Sequence, residues 1–323
     1  MKNNFSRRNF LQTAAISATA AMIPTIASSA PDLKAETPNE APAAGLPQRR
    51  LGRTNRMVSC IGFGGGSRYC NWVADDQQHQ RLIDYAIELG ITYWDSARAY
   101  GNGLCEERYG KYLTPKHRDK IFLNGKSEGR TYDAVMKDFE ISLKNMKTDW
   151  LDMYCMHGID HVEQVDTLLS PTGGYKAFLE LKKDGRIKNI GFSYHKWNPA
   201  SQKCFEVFDV DAVLCPINAS KYTGNEDNMI PIATKRDIGI IAIKILGQNA
   251  LIGNVSGDEL VRYTLSLPGL SVANVGIDGW PALESTIAVA KMPLITKEQR
   301  EEIHTRLAFV PGKVRLPYFT GNV

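Results

Sequence analysis

The sequence predicts an α/β chain folded as a (β/α)8 TIM barrel, one domain preceded by a signal peptide and a linker. Three observations predict it. From residue 57 onward, short apolar runs alternate with amphipathic stretches, giving eight strand–helix units in about 270 residues. Polar residues able to move protons stand where successive runs end. The competing doubly wound sheet requires a glycine fingerprint after its first strand and an acid about 20 residues on. Gly62-Phe63-Gly64-Gly65-Gly66-Ser67 meets that only in part: a serine takes the third glycine's place, and no acid ends the next strand at that spacing.

The first 30 residues differ in composition from the rest. They hold Lys2, Arg7 and Arg8 and no acid. Ser6-Arg7-Arg8-Asn9-Phe10-Leu11 is a twin-arginine export motif, followed by an Ala-rich apolar run to Ile26 and small residues at Ala27–Ala30. This predicts recognition by the twin-arginine export machinery and a periplasmic location. It also predicts folding before export. No later stretch approaches the ~20 apolar residues of a spanning helix, so no stable membrane span is expected after processing. Residues 31–47 carry Pro31, Pro38, Pro42 and Pro47 among Ala, Glu and Asn and read as an extended linker, leaving residues 48–323 for the barrel.

The strand candidates are Val58–Gly62, Thr92–Asp95, Ile121–Leu123, Leu151–Met156, Ile187–Phe192, Ala212–Ile217, Ile238–Ile245 and Ser271–Val275. Gln77–Leu89, Tyr132–Met146 and Tyr175–Lys183 have helical spacing between them, and Gly90 and Gly185 stand where helices end. Thr296–Leu307 reads as a charged amphipathic helix.

The formal charge of +4 falls to +1 without Lys2, Arg7 and Arg8, which gives no case for nucleic-acid binding. None of the six cysteines makes a C-x-x-C pair, so no metal or iron–sulfur site is indicated. Cys155 and Cys215 lie in apolar runs and read as buried thiols.

Asp95, Tyr100, Lys126 and His157 are the candidate catalytic residues, read as closing successive strands. In a parallel barrel the C-terminal strand ends share one face, so the four converge on one pocket. Singly, each has a plain structural role: Asp95 as a helix cap, Tyr100 as core, Lys126 as a loop lysine, His157 as a hydrogen-bonded strand end. Jointly they make a proton-transfer device. A lysine ammonium lowers the pKa of a nearby phenol, an aspartate keeps the ammonium charged, and an imidazole fixes a substrate oxygen.

These residues and their settings resemble the aldo-keto reductase family. The resemblance extends through Arg50–Thr54, Val58-Ser59 and Gly62–Gly64, then Asp95–Ala97 with Tyr100–Gly103 and Glu106-Glu107, Ser142-Leu143, Asp149–His157 and Lys183–Ser193, covering roughly residues 48–290. It implies a (β/α)8 barrel binding NAD(H) or NADP(H) and acting on a small-molecule carbonyl or alcohol, with Tyr100 as proton donor. The implied cofactor contacts are Gly64, Ser193, Tyr194, Lys244, Leu246, Gly247, Ile277 and Asp278. Tyr194 stands where the family has Asn, and Leu214 where it has a carboxamide-binding Gln. The segment Gly276–Thr286 faces the adenosine end and holds Asp278 and Glu284 but no Lys or Arg, which favours NAD(H). Gly158 replaces a bulky aromatic, implying a wider mouth, with Trp72, Trp94, Trp197 and Trp280 as candidate walls. A second reading is a nucleotide-binding or redox-sensing barrel with little turnover.

Overall fold

The computed structural model describes residues 45–253 and 255–308. The expected export signal and most of the expected linker lie outside them. Strands β1 (Gln48–Arg50) and β2 (Met57–Ser59) form an antiparallel hairpin. Eight further strands follow: β3 (Ile61–Gly64), β4 (Tyr93–Asp95), β5 (Phe122–Ser127), β6 (Leu151–Met156), β7 (Ile187–Ser193), β8 (Ala212–Pro216), β9 (Gly239–Ile243) and β10 (Leu270–Gly276). They close in sequence order into one parallel barrel, β10 pairing back onto β3.

Alternation along each strand sorts the side chains into two layers. Tyr93, Phe122, Met153, Leu214, Ile241 and Val272 fill the barrel interior, Tyr93 stacking on Phe122 at 5.7 Å between centroids. Phe63, Trp94, Tyr154 and Phe192 face outward into the core beneath the helices. Each large apolar side chain so buried contributes roughly 1.5–3 kcal/mol. The interior is filled with side chains, so chemistry is confined to the barrel's ends.

One end is closed. Leu51 and Val58 of the hairpin belong to the interior cluster, and the Arg53 amide donates to Asp237 O at 2.6 Å, just before β9 begins. The hairpin therefore covers the N-terminal end and leaves the C-terminal strand ends as the accessible face. Helices are started by local signals: Asp75 and Gln78 exchange side-chain–backbone hydrogen bonds of 2.8 and 3.0 Å ahead of Asp76–Glu88. Gly90 and Gly185 take positive φ after their helices, as expected.

Three expectations need correction. The run Val58–Gly62 divides at Cys60: its first half pairs in the hairpin, and its second half begins the barrel strand. Strand β5 does not stop at Leu123 but runs to Ser127, because Asn124 and Lys126 find polar partners inside the barrel. Leu46, placed in the linker by composition, is buried, and the Pro47 carbonyl accepts from the Cys60 amide at 2.8 Å. All six cysteines, Cys155 and Cys215 included, are buried and unpaired. Among the described residues no helix is long and apolar enough to cross a membrane.

Candidate active site

Asp95 is the last residue of β4, Lys126 lies one residue inside the end of β5, and His157 directly follows β6. Tyr100 closes no strand. It sits on the tight turn Tyr100–Gly103 after β4, so three strand ends and one turn build the cluster rather than four strands. Positive φ at Gly101, Asn102 and Gly103 folds that turn back over the barrel mouth.

The four residues meet as expected. Lys126 Nζ donates to Asp95 Oδ1 at 2.6 Å, to Ser96 O at 2.8 Å and to Tyr100 Oη at 3.1 Å. Tyr100 Oη lies 3.3 Å from Asp95 Oδ2. The imidazole of His157 stands edge-on to the Tyr100 ring, 5.7 Å between centroids at 82°. Asp95 and Lys126 are each 1% exposed, so neither charge is neutralised by water.

Sequence reasoning missed two supports of this pair. Asn124 Nδ2 donates to Asp95 Oδ1 at 2.8 Å and Asn274 Nδ2 to Asp95 Oδ2 at 3.0 Å. With Lys126 and Tyr100, they satisfy both carboxylate oxygens of a buried charge. The signal for Asn124 was its position two residues before Lys126, which puts both on one face of a strand. Asn274 has the same relation to the inward-facing Val272 on β10.

The electrostatics differ from the expectation at Tyr100. Burial, and then the Asp95 carboxylate, hold its phenol above the usual tyrosine range, and the Lys126 ammonium only partly opposes them. Burial alone would lower the Lys126 pKa, but Asp95 outweighs it and holds the group above its ordinary value. Burial, then Lys126, His195 and Arg130, push His157 down to about 3, so its imidazole is neutral at physiological pH.

The loop after His157 is held firmly. Arg130 donates to His157 O at 2.6 Å and to Gly158 O at 3.1 Å. The Gly158 amide donates to Ser193 Oγ at 3.0 Å. Gly158 has φ +62°, and a side chain added there would meet nothing within 4 Å, in keeping with the wider mouth expected from its missing aromatic.

The expected cofactor contacts divide. Ser193 ends β7 beside Gly158 and points to the mouth. Lys244 and Leu246 are half-buried on the turn after β9, where the Gly247 amide donates to Lys244 O at 2.9 Å. Asp278 follows β10 and is ion-paired with Arg68, whose guanidinium also donates to Asn249 Oδ1 at 2.6 Å. Arg68, 210 positions away in sequence, thus joins the loops after β3, β9 and β10. Two contacts are not placed for the role. The Tyr194 side chain is 1% exposed and stacks on Phe192 in the strand–helix layer, because strand alternation turns it away from Ser193. Ile277 is likewise core. Gly64 has a packing reason instead: a Cβ there would lie 2.7 Å from the Val275 carbonyl oxygen. Gly66, not singled out from sequence, borders the site, and a Cβ on it would meet only the Tyr100 ring at 3.8 Å. Of the tryptophans, Trp94 is core, stacked on Phe63 at 4.5 Å, whereas Trp72 and Trp280 are half-buried, Trp280 opening the helix that follows β10 and Trp72 lying next to Gly279 just before it.

Comparison with known proteins agrees with this geometry. The model of the aldo/keto reductase family matches residues 60–299. A pyridoxal 4-dehydrogenase of Microbacterium luteolum is 25% identical over 263 residues, 67% of this chain and 75% of its own length. An aldo-keto reductase of Strobilurus tenacellus is 29% identical over 294 residues, 84% of this chain and 79% of its own length. Among solved structures, an aldo-keto reductase of Klebsiella pneumoniae in complex with NADPH superposes with TM-score 0.68 at 20% identity, covering 84% of this chain and 98% of that one. The holo form of an aldo-keto reductase of Bacillus halodurans gives 0.69 at 20% identity, covering 81% and 96%. A closed parallel barrel, a buried Lys–Asp pair beside a tyrosine and a family match across its strands lead to one conclusion: the chain belongs to the aldo/keto reductase family.

Proposed function

We propose that this protein is an NAD(P)-dependent oxidoreductase that reduces a small-molecule carbonyl, or oxidises the corresponding alcohol, with Tyr100 as the proton donor. The observation that carries the reading is the Lys126 ammonium 3.1 Å from Tyr100 Oη at the barrel mouth, with the His157 imidazole edge-on to the same ring. Nicotinamide cofactor, when bound, supplies the hydride. Tyr100 gives its proton to the carbonyl oxygen and is left as a phenolate, which Lys126 stabilises. Burial keeps the phenol protonated at neutral pH, and the Lys126 ammonium beside it opposes that shift by stabilising the phenolate that donation leaves. His157, neutral, hydrogen-bonds the same oxygen and fixes its direction.

The residues present fit a dinucleotide. Ser193 stands beside the reacting oxygen's loop, and the loops after β3, β9 and β10 are tied together by Arg68. The preference we assign is NAD(H). Arg68 reaches the segment after β10, and Asp278 and Asn249 already engage it. Glu284 adds a second carboxylate there, so a 2′-phosphate meets acids where a ribose diol finds acceptors. Titrating the purified protein with NADH and NADPH tests this. Tighter NADPH binding contradicts the preference, and no binding of either contradicts the dehydrogenase reading.

The N-terminal sequence supports export of the folded protein to the periplasm, where we infer that the cofactor stays bound, oxidation of an alcohol substrate returning the hydride that reduction of a carbonyl substrate consumes. Nucleotide detected by mass spectrometry in desalted protein from the periplasm supports this, and its complete loss on desalting contradicts it.

A further inference from the structure

Next to the turn that carries Tyr100 lies a buried ion pair that the proton relay does not use. Glu106 stands in the first turn of the helix Leu104–Tyr112, which begins where the turn Tyr100–Gly103 ends, and it is fully buried. Both of its carboxylate oxygens are engaged. Ser142 Oγ donates to Oε1 at 2.6 Å and Asn145 Nδ2 to Oε2 at 3.1 Å, both from the helix Tyr132–Met146. The third donor is Arg98, whose guanidinium reaches Oε2 at 3.1 Å. Burial raises the pKa of Glu106, and these three partners oppose the shift. A buried carboxylate needs such donors and a cation, and Arg98 supplies the cation.

Arg98 also meets the relay's backbone at two points. Its amide donates to the Lys126 carbonyl at 3.1 Å. Its guanidinium fills the space beside the Gly103 α-carbon, where a Cβ would collide with Nη1 and lie 3.0 Å from Nη2. Gly103 is the last residue of the turn that Tyr100 opens. One side chain and its amide therefore contact both the backbone of Lys126 and the turn of Tyr100, and Glu106 ties them to a neighbouring helix. The turn needs such support. Asn102 takes φ +53°, a conformation that a non-glycine residue keeps at a cost and only where its surroundings impose it.

We propose that Arg98 and Glu106 are positioning residues for the proton relay: their ion pair sets the turn Tyr100–Gly103 against the end of β5 and so holds Tyr100 Oη within hydrogen-bond reach of Lys126 Nζ. The proposal rests on Tyr100 as the proton donor. The contact at stake is the 3.1 Å between those two atoms. Neither Arg98 nor Glu106 hydrogen-bonds the side chain of Tyr100, Lys126 or His157, so the effect passes through the backbone.

The test compares wild type with Arg98→Met/Glu106→Gln, Arg98→Lys and Tyr100→Phe, each for NADH affinity, aldehyde KM and the single-turnover rate of NADH oxidation by 4-nitrobenzaldehyde. The double variant removes both charges together, so no unpaired ion is left in the core. It should lose about 10–100-fold in single-turnover rate, the order of cost of a displacement near 1 Å at a reacting group, with KM and NADH affinity within about twofold of wild type. Arg98→Lys keeps a cation at Glu106 without the fork against Gly103, and should fall about three- to tenfold below wild type in rate at unchanged KM. A folded double variant that reacts as fast as wild type overturns the proposal. So do equal changes in rate, KM and NADH affinity, which mark general loosening of the site rather than a displaced donor. If the double variant does not fold, Arg98→Lys decides alone, and a rate equal to wild type overturns the proposal. Tyr100→Phe reacting as fast as wild type, or a wild type that oxidises no NADH, overturns the proton-donor reading beneath it, a failure distinct from that of the ion pair.

Discussion

Lys126 Nζ and Asp95 Oδ1 lie 2.6 Å apart in a barrel interior that water does not reach, and the same ammonium touches the Tyr100 hydroxyl. In the mechanism proposed above, the pair serves stability and chemistry together. Lys126→Met leaves Asp95 charged and buried with two amides and a phenol for partners. It should destabilise the fold by about 3–5 kcal/mol. Adding Asp95→Asn should recover much of that loss in denaturant melts, because no buried charge remains. Activity should stay absent in both variants.

The neutral histidines give the fold an acid-side slope. His157 is pushed down to about 3 and His79, buried against Tyr69, Trp72 and Tyr112, to about 4, burial being the first cause of each. The unfolded chain takes up these protons near pH 6.5, and the folded chain does not until the lower values. Below pH 6.5 the unfolded state therefore binds more protons, and stability falls as pH falls. The loss is at most about 1.4 kcal/mol per pH unit per histidine. His79→Phe should flatten the curve of melting temperature against pH between 6.5 and 4, and an unchanged slope would contradict the assignment.

The glycines at the end of β3 and just beyond it should separate packing from function. Gly64→Ala places a methyl 2.7 Å from the Val275 carbonyl oxygen, a backbone atom that cannot step aside, and should cost about 1–3 kcal/mol. Gly66→Ala meets only the Tyr100 ring at 3.8 Å. It should melt within about 0.5 kcal/mol of wild type while changing kcat, because it borders the proton donor.

Asp278→Ala should change the cofactor preference. It releases Arg68 to pair with a phosphate dianion in place of the lost carboxylate. Fluorescence titration should show the NADPH/NADH affinity ratio rising by about tenfold, with kcat on the preferred aldehyde little changed. A ratio that does not move would show that Arg68 plays no part at the 2′ position.

The barrel was legible in the sequence because each strand is buried on both faces and so reads as an apolar run. The runs failed where burial and polarity coincide. Asn124 and Lys126 look like turn residues, yet they lie within β5 because Asp95 waits for them inside the barrel. Tyr194 looked like a cofactor contact by alignment with a family motif, and strand parity turned it into the core. The four candidate residues were readable because three strand ends and the turn after β4 follow one another around the barrel. Arg68 and Asn274 were not, since their partners are set by barrel closure across about 180–210 positions.

The most direct test of the account is Tyr100→Phe, measured for both NADH binding and carbonyl reduction. The substitution removes one hydroxyl and keeps the ring that packs against His157. Binding should stay within about twofold of wild type, and turnover should fall by about 10²–10⁴-fold. Turnover within a few-fold of wild type would contradict Tyr100 as the proton donor. The role of the buried Lys126–Asp95 pair would then be structural alone.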